Sequence, residues 1–532
     1  MVNLLLVLME VVLTIKLDNY ERLGIADWDR ELFTHDYKKA LQLEFAEQTD
    51  THLEDFSSLE KANYFFFEGL YNLAAELYEH LSKRINDPIN VLLRLLHCYD
   101  SICDWQNRTL VEKKILKRLD QNTYPALIEP LCYLSVPINL VQSSRLAKER
   151  YRTIVTNDFY KSTLRMEKLL GNRLHIGYCS IDFRAHHCGV PLWPMINEHN
   201  HDQFKVSIFS AAPAKKNKIL RSKFDAKNIN FYSLSGKSFG EAASIIQSHD
   251  LDILVDTTRN IRSNLLPLFS QKLAELQITS WGYGGSSGAE CFDALISDNT
   301  IITDSEESDI VEKPVKLSNY LPISRVVAAN YDNMASRIEN NLPKNKIVFG
   351  CFSNHYKICD KIFALWAEIL RNTKSVLWLS EGNEQSRKNL KAAAKRYALD
   401  SKRLIFAHRT SQEHHNARLK LVDIFLDNPY LGSSSNVYDG LMVGCPGLVL
   451  NGETPETRGS ASILISLGLR EYIFKNGDEY VTSAIKMAND TKLLNWNIMN
   501  VRKILNKSVY SLKGFVGELE ANYLEMANKK FN

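Results

Sequence analysis

From Arg173 to about residue 451, the sequence alternates short apolar runs with amphipathic segments of helical period, and a polar stretch near 329–346 divides the pattern into two series. Such alternation is typical of parallel strands that are covered by helices on both faces of a sheet. It predicts an α/β fold of two doubly wound, Rossmann-like domains facing a cleft, over residues 171–340 and 341–532. The predicted strands are 174–181, 205–211, 252–257, 276–283 and 293–298, followed by 346–353, 375–380, 403–408, 423–428 and 447–451.

Residues 1–170 show no strand-like alternation and are predicted to be α-helical. Segment 59–88 has the pattern of one helical repeat, because two amphipathic helices meet near Gly69 and a proline ends the unit. Segment 35–48 fits the second helix of a preceding, degenerate repeat. We therefore predict a degenerate TPR-like region, with a plain helical cap as an equally supported alternative. The last helices, about 491–530, are expected to complete the second domain, with a return over the first domain left open.

The charge and the cysteines exclude several classes of protein. Lys and Arg number 65 against 62 Asp and Glu, a formal charge of +3, which gives no basis for a nucleic-acid partner. The nine cysteines include no CxxC pair and fit no zinc template, so we expect reduced thiols. The apolar N-terminal run contains Glu10 and ends at Lys16, short of the ~20 residues that span a membrane. We therefore expect no membrane span and a cytoplasmic protein.

Ligands of doubly wound sheets bind beyond the carboxyl ends of the strands, and the loops predicted there carry unusual residues. The loop after the first strand contains His186 and His187, and an imidazole with a pKa of ~6.5 orients or accepts a hydroxyl proton near neutral pH. Loop 281–289 is rich in glycine and serine, so its backbone N–H groups can approach a sugar or a phosphate closely. A loop-capping histidine and a simple tight turn are the structural alternatives.

Two loops of the second series offer groups that bind anions. Lys357 lies where a helix is predicted to begin, and a cation there neutralises a diphosphate leaving group. Ser434 and its neighbours are predicted to begin a helix, whose N-terminus supplies backbone N–H groups and a positive dipole. Asp439, one turn further, is placed to accept hydrogen bonds from a ribose. A solvated surface lysine and an ordinary serine N-cap are the alternatives at the first two positions.

Between CDW (103–105) and the C-terminus, eight motifs follow one another in a characteristic order and spacing. They are IGYCSIDFRAHH, DILVD, LQITSWGYGGSSGA, FSNHYKI, SVLWL, RLIF, DIFLDNPYLGSSSNVYDGLMVGCP and NGETPETRGSASIL. By these motifs the chain resembles the O-GlcNAc transferase and Spindly family of protein glycosyltransferases, which have the GT-B fold. The resemblance implies a UDP-sugar co-substrate and a protein acceptor. Because a lysine and a helix dipole can neutralise the phosphates, we expect no metal or other cofactor.

Carried over position by position, the resemblance implies two catalytic residues. His186 matches the family's active-site histidine, and Lys357 matches the lysine that contacts the donor diphosphate. The other residues of the implied nucleotide-sugar site are Asn354 beside that lysine, His415 and Arg418 at the uracil, Ser434, Ser435 and Asn436 at the phosphates, and Asp439 at the ribose.

Three departures from the family pattern bear on specificity. Ser-Ser-Asn at 434–436 replaces a His-Thr-Thr triplet, Gly284 replaces a proline, and Arg-Asn-Ile at 259–261 replaces Gly-His-Thr. The expected activity is an inverting, metal-independent transfer of a sugar, GlcNAc by the resemblance, from a UDP-sugar to Ser or Thr hydroxyls of a protein. The alternatives are GDP-fucose as donor, asparagine or a glycan as acceptor, a GT-B-like sugar-nucleotide epimerase, and a catalytically silent protein-binding module.

Overall fold

The structure is a computed structural model, and it describes part of the chain. The described residues are 53–85, 89–120, 132–156, 173–183, 189, 192–212, 222–224, 228–258, 265–282, 284–319, 334–429, 434–507 and 512–531. The predicted helix at 35–48 and the apolar N-terminal run lie outside these residues. Within them, no helix combines the length and apolar character that crossing a membrane requires.

Within the described part of residues 1–172, five helices precede the first sheet. They are α1 (Leu53–Phe67), α2 (Tyr71–Leu81), α3 (Ile89–Ser101), α4 (Trp105–Asp120) and α5 (Leu140–Thr156). The α1–α2 hairpin turns at Gly69, whose φ of 73° is a conformation that glycine adopts without strain. The Tyr78 ring is buried in this hairpin, and its hydroxyl donates to Asn63 Oδ1 at 2.6 Å. The predicted pair of helices meeting near Gly69 is confirmed.

A seven-stranded parallel sheet follows the helical region. Its elements are β1 (Leu174–Ser180), α6 (Leu192–Asn197), β2 (Phe204–Ser210), β3 (Ile229–Ser233), α7 (Phe239–Gln247), β4 (Ile253–Asp256), α8 (Leu266–Phe269), β5 (Leu276–Thr279), β6 (Ala294–Asp298) and β7 (Pro314–Leu317). The strand order is β3-β2-β1-β4-β5-β6-β7, with every pair parallel. All strands predicted for this series are present. The sequence did not predict β3 and β7, because both are partly exposed edge strands without a continuous apolar run.

The second sheet has six parallel strands in the order β10-β9-β8-β11-β12-β13. The strands are β8 (Ile347–Cys351), β9 (Ser375–Ser380), β10 (Leu404–Ala407), β11 (Ile424–Leu426), β12 (Gly447–Leu450) and β13 (Ile473–Phe474). The helices are α9 (Asp360–Arg371), α10 (Glu384–Arg396), α11 (Gln412–Leu419), α12 (Ser434–Met442), α13 (Gly459–Ser466) and α14 (Gly477–Asn489). The five predicted strands are confirmed, and the two-residue β13 was missed.

The chain ends with α15 (Thr491–Lys507) and α16 (Leu512–Phe531), and α16 returns to the first domain. Its apolar residues, Leu519 among them, join the core formed by β1. A buried polar chain reinforces the contact, because the Tyr178 hydroxyl lies 2.7 Å from His199 Nε2 and His199 Nδ1 lies 2.8 Å from Glu520 Oε1. The last helix therefore ties the end of the chain to the first sheet.

The loops that follow the carboxyl ends of the two sheets touch each other. Arg458, after β12, donates from Nη1 to Glu306 Oε2 at 2.7 Å and from Nη2 to Glu306 Oε1 at 2.8 Å, and Glu306 lies in the segment after β6. The Ser462 hydroxyl donates to Asp298 at the end of β6. Because these contacts join the same edge of each sheet, the two carboxyl edges face one another across a cleft.

Candidate functional site

Strand order reverses direction between β1 and β4 in the first sheet and between β8 and β11 in the second. At such a switch point the loops leave in opposite directions and open a crevice that binds ligands. In the second sheet the crevice is flanked by residues 352–357 after β8 and by residues 427–429 after β11. Two of the segments singled out from the sequence are therefore neighbours in space.

Lys357 ends a single 3₁₀ turn, His355–Lys357, that follows β8. Asn354 is the exposed N-cap of this turn, and its carbonyl accepts the Lys357 N–H at 3.0 Å. The Asn428 side chain donates to the Lys357 carbonyl from the other side of the crevice. The 3₁₀ turn takes the place of the helix start predicted here, and it presents the half-buried Lys357 at the switch point.

His355 anchors the same turn from below. The buried ring lies 2.7 Å from the Ser386 hydroxyl and 2.9 Å from the Ser380 carbonyl oxygen. Burial lowers the pKa of His355 to about 4, so the ring is neutral at physiological pH and serves as a hydrogen-bonded anchor. Gly382 packs on the ring so closely that a Cβ there would overlap it. No motif in the sequence indicates this role of His355.

Asp427 is the buried carboxylate of the crevice. It is 1% exposed, and neither carboxylate oxygen makes a hydrogen bond of good geometry within the described residues, although Ser460 and the Asn428 amide lie nearby. Burial raises the pKa of Asp427 to about 6, although Ser460, the Asn428 amide and the charge of Lys357 each oppose that rise. A titratable group with a shifted pKa at a switch point is a candidate member of a functional site.

Arg418 and His415 lie together on α11, as their shared assignment to the uracil requires. Arg418 Nε lies 3.1 Å from His415 Nδ1, and Arg418 Nη1 donates to the His408 carbonyl at 2.6 Å. The guanidinium lies over the rings of Phe352 and Trp378, at 5.5 Å and 5.9 Å from their centroids. Cation–π contacts of this kind are strengthened by burial, and Arg418 is 8% exposed. The sequence reasoning did not assign a role to either ring.

Helix α12 begins where the sequence predicted. α12 starts at Ser434, includes Ser435 and Asn436 in its first turn, and carries the half-buried Asp439 in the next. The side chains of Ser435 and Asn436 lie outside the description. Gly459 lies so close to Ser434 that a Cβ there would be 3.2 Å from the serine Cβ. The helix N-terminus thus points its N–H groups toward the edge that also carries Lys357.

The side of the cleft formed by the first sheet is described in part, because His186 and residues 259–261 fall outside the described ranges. Thr258, after β4, receives the Ile181 N–H at 3.2 Å and so joins the two strands of the first switch point. Gly282, with φ of 66°, approaches this segment closely, and a Cβ there would lie 2.8 Å from the Thr258 carbonyl oxygen.

A buried carboxylate organises the glycine- and serine-rich loop. Glu312, which is 2% exposed, accepts the Ser286 hydroxyl at 2.6 Å and the Ser287 N–H at 2.7 Å. Glu312 was not predicted from the sequence, because it lies more than 20 residues beyond the loop and in no motif. Across the cleft, Gly284 abuts Pro455 so tightly that a Cβ would overlap the Pro455 carbonyl oxygen.

No group of three or more His, Cys, Asp or Glu side chains in the described part of the chain is arranged to hold a metal ion. The groups available to bind an anion at the second switch point are a cation, Lys357, and the N-terminus of α12. Phe352 connects the anion-binding groups to the pair His415 and Arg418. It lies in the same loop as Lys357, and its ring lies 5.3 Å from that of His415. The site can therefore accommodate a ligand that is aromatic at one end and anionic at the other.

Comparison with known proteins gives the same outline. The chain is 24% identical over 455 residues to the probable UDP-N-acetylglucosamine–peptide N-acetylglucosaminyltransferase SEC of Arabidopsis thaliana, across 82% of this chain and 46% of that protein. It is 27% identical over 365 residues to the probable enzyme of the same activity, SPINDLY, of Petunia hybrida, across 66% of this chain and 38% of that protein. The chain thus spans less than half the length of these relatives.

A solved structure supports the fold. A mutant of the Thermobaculum terrenum O-GlcNAc transferase superposes with a TM-score of 0.72 at 20% identity, over 88% of this chain and 91% of that one. The predicted GT-B architecture of two facing α/β domains is thereby confirmed. The model of glycosyl transferase family 41 matches residues 102–328 and 324–518. With both sheets and both switch points inside the matched residues, the chain belongs to glycosyl transferase family 41.

Proposed function

We propose that this chain is an inverting, UDP-sugar-dependent glycosyltransferase that moves GlcNAc to Ser or Thr hydroxyls of a protein acceptor. One observation carries the proposal: the loop of residues 352–357 contributes both the aromatic contact to His415 and Arg418 and the cation Lys357. A uridine diphosphate has its base and its phosphates at matching ends. The names of the relatives, which specify UDP-N-acetylglucosamine and a peptide, support this donor and acceptor.

In the proposed reaction, the acceptor oxygen forms a bond to C1 of the sugar while the bond from C1 to the diphosphate oxygen breaks. UDP leaves with the electron pair, and the proton of the acceptor hydroxyl is taken up on the acceptor side, where we assign it to His186. Lys357 and the N-terminus of α12 stabilise the charge that develops on the leaving diphosphate. Arg418 and His415 hold the uracil, and Asp439 binds the ribose.

We further propose that the reaction needs no divalent metal, because a lysine and a helix dipole neutralise the leaving group. Turnover that EDTA abolishes, and that added Mg²⁺ or Mn²⁺ restores, would contradict this part of the proposal. A cytoplasmic location is part of the same proposal, since the described cysteines are all free thiols, as is usual in a reducing compartment.

The test is calorimetric binding of UDP and of GDP to the wild-type chain and to Lys357→Ala. We expect UDP to bind in the micromolar range, GDP to bind more weakly, and the variant to lose UDP affinity. The matched control is Lys361→Ala, which removes an exposed lysine four residues away and is expected to bind UDP like wild type. If the wild-type chain binds neither nucleotide, the transferase is excluded and the protein-binding module becomes the explanation.

The sugar and the acceptor are decided by a second experiment. Ser434, Ser435 and Asn436 replace the family's His-Thr-Thr, which changes the groups offered to the donor. A panel of UDP-GlcNAc, UDP-glucose and GDP-fucose, each with a Ser/Thr peptide library and with its Asn counterpart, separates the alternatives. We expect transfer from UDP-GlcNAc to the Ser/Thr library; transfer from GDP-fucose or to asparagine would replace that assignment.

A further inference from the structure

The CDW motif at 103–105 forms the corner between α3 and α4, and the proposed function assigns it no role. We define the α3–α4 corner as residues 101–105. Cys103 has a φ of 54°, the left-handed conformation that costs a residue with a Cβ some strain. This conformation turns the chain between two helices, and Trp105, two residues further on, is almost fully buried at 4% exposure.

Both ends of the turn that carries Lys357 are bound by this corner. The Cys103 thiol lies 3.6 Å from the His355 carbonyl oxygen, and Trp105 Nε1 donates to the Ile358 carbonyl at 2.8 Å. The His97 ring of α3 also packs on the Tyr356 ring, with centroids 5.1 Å apart. The residues before and after Lys357 are thus held by a segment about 250 positions away in the chain.

A single 3₁₀ turn depends on such support. Its hydrogen bonds have poor geometry and are few, so its backbone does not hold its own position. Within this turn the Ile358 N–H bonds the His355 carbonyl at 2.9 Å. The contacts from Trp105, Cys103 and Asn428 fix the turn against the rest of the domain.

The corner is itself fixed to the second domain. Asn383 Nδ2 donates to the Ser101 carbonyl and Asn389 Nδ2 donates to the Ile102 carbonyl, each at 2.8 Å. The Trp105 ring packs on Phe363 of α9, with centroids 5.3 Å apart. Any displacement of the helical region would therefore reach the Lys357 turn through the same short set of contacts.

We propose that Trp105 is a positioning residue for donor binding: its indole N–H fixes the turn that places Lys357 against the diphosphate. This rests on the proposed function, because it takes the ligand of Lys357 to be the diphosphate of a nucleotide. The helical region is thereby coupled to the donor site, so a partner that shifts α3 and α4 changes donor affinity. Trp105 acts through the backbone and does not touch the ligand.

The test compares UDP with UMP, which share the base, the ribose and one phosphate. Trp105→Phe removes the N–H but keeps an aromatic ring against Phe363. We expect UDP affinity to fall roughly five- to tenfold, as for one lost hydrogen bond, while UMP affinity changes less than twofold. A purely structural role would weaken both nucleotides equally.

Two further variants keep the experiment decisive. Asn389→Ala loosens the corner from α10 without touching Trp105 or Lys357, and we expect a two- to threefold loss for UDP alone. The matched control, Tyr472→Phe, deletes a buried hydroxyl that donates to Asn497 Oδ1 at 2.8 Å in the same domain, and we expect both affinities to match wild type.

The outcomes separate the inference from the proposed function. Suppose that the wild-type chain binds UDP, and that Trp105→Phe leaves the UDP and UMP affinities unchanged or weakens both equally. The positioning role is then wrong, and the proposed function still holds. Absence of UDP binding to the wild-type chain overturns both.

Discussion

Arg418 Nε donates a hydrogen bond to Nδ1 of His415 at 3.1 Å, which fixes the tautomer of the histidine. Since Nδ1 accepts, the single proton of the neutral ring lies on Nε2, and the ring offers a donor on its far side. Burial, and secondly the charge of Arg418, lower the pKa of His415 to about 4. At neutral pH the pair therefore provides a cation over aromatic rings and a neutral imidazole donor, an arrangement suited to a nucleobase.

This pair gives the first prediction. Arg418→Gln removes the charge and the bond to Nδ1, so we expect the pKa of His415 to rise from about 4 toward its ordinary value. UDP affinity should fall roughly tenfold, because a charge-assisted contact is lost. NMR titration of the His415 ring and calorimetry measure the two effects. The control is Arg409→Gln, at an exposed position in the segment just before α11. An unchanged pKa of His415 in Arg418→Gln would contradict the coupling.

The pH dependence of stability provides a second prediction. His355 has a pKa of about 4 when folded against 6.5 unfolded, so protons favour the unfolded chain. Its contribution to the free energy of unfolding is intact above pH 6.5 and is lost as pH falls from 6.5 to 4, by roughly 3 kcal/mol. Urea denaturation at several pH values should show a shallower pH dependence in His355→Gln than in wild type. Parallel curves would contradict the assignment.

Asp427, unlike His355, is expected to lower the free energy of unfolding at neutral pH. Its pKa of about 6 when folded exceeds the 3.8 of the unfolded chain, so its ionised form destabilises the fold above pH 6 and the penalty disappears below 3.8. We expect Asp427→Asn to raise the free energy of unfolding by roughly 1 to 3 kcal/mol at pH 7 and to have little effect at pH 4. Denaturation at both pH values tests this, and a loss of stability at pH 7 would show that the carboxylate is stabilised by the fold.

Gly284 provides a prediction on the domain interface. A Cβ at this position would overlap the Pro455 carbonyl oxygen. Because the atoms it would meet belong to the backbone of Pro455 and Glu456, they cannot rotate away as a side chain can. Gly284→Ala should therefore lower the free energy of unfolding by about 1–3 kcal/mol and widen the cleft, as measured by denaturation and small-angle X-ray scattering. The control is Gly240→Ala in α7, where a Cβ meets nothing within 4 Å, and a slight gain is expected. A wild-type scattering profile for Gly284→Ala would argue against the close contact.

Much of the fold follows from local pattern. Central strands such as β9 are apolar on both faces, so an unbroken apolar run predicted them almost to the residue. The placement of Lys357 after one such strand, and of Ser434 at the start of a helix, followed from the same local signals. The edge strands β3 and β7 were not predicted, because they are partly exposed and lack the continuous apolar run on which the prediction of a strand depends.

The sequence predicted individual residues of the candidate site but not how they are arranged in space. The motifs identified Lys357, Arg418 and Asp439, and the structure places Lys357 beside the segment that carries Asp427. The roles of all the predicted site residues, Lys357, Arg418 and Asp439 included, stay predictions. The side chains of His186, Ser435 and Asn436 also lie outside the described residues. Phe352 and Glu312 were missed, since the value of each depends on a partner that is distant in sequence.

The sequence by itself determined the two doubly wound domains, the helical region before them and the strand ends that carry the candidate site residues. These properties depend on the periodic burial of neighbouring residues, which a linear pattern records. Only the tertiary structure decided that Trp105 contacts the Lys357 turn, that α16 returns to the first sheet, and that the Asp427 carboxylate is buried at the second switch point. Those relationships join residues far apart in the chain, and their energies depend on distance and burial, which exist only once the chain has folded.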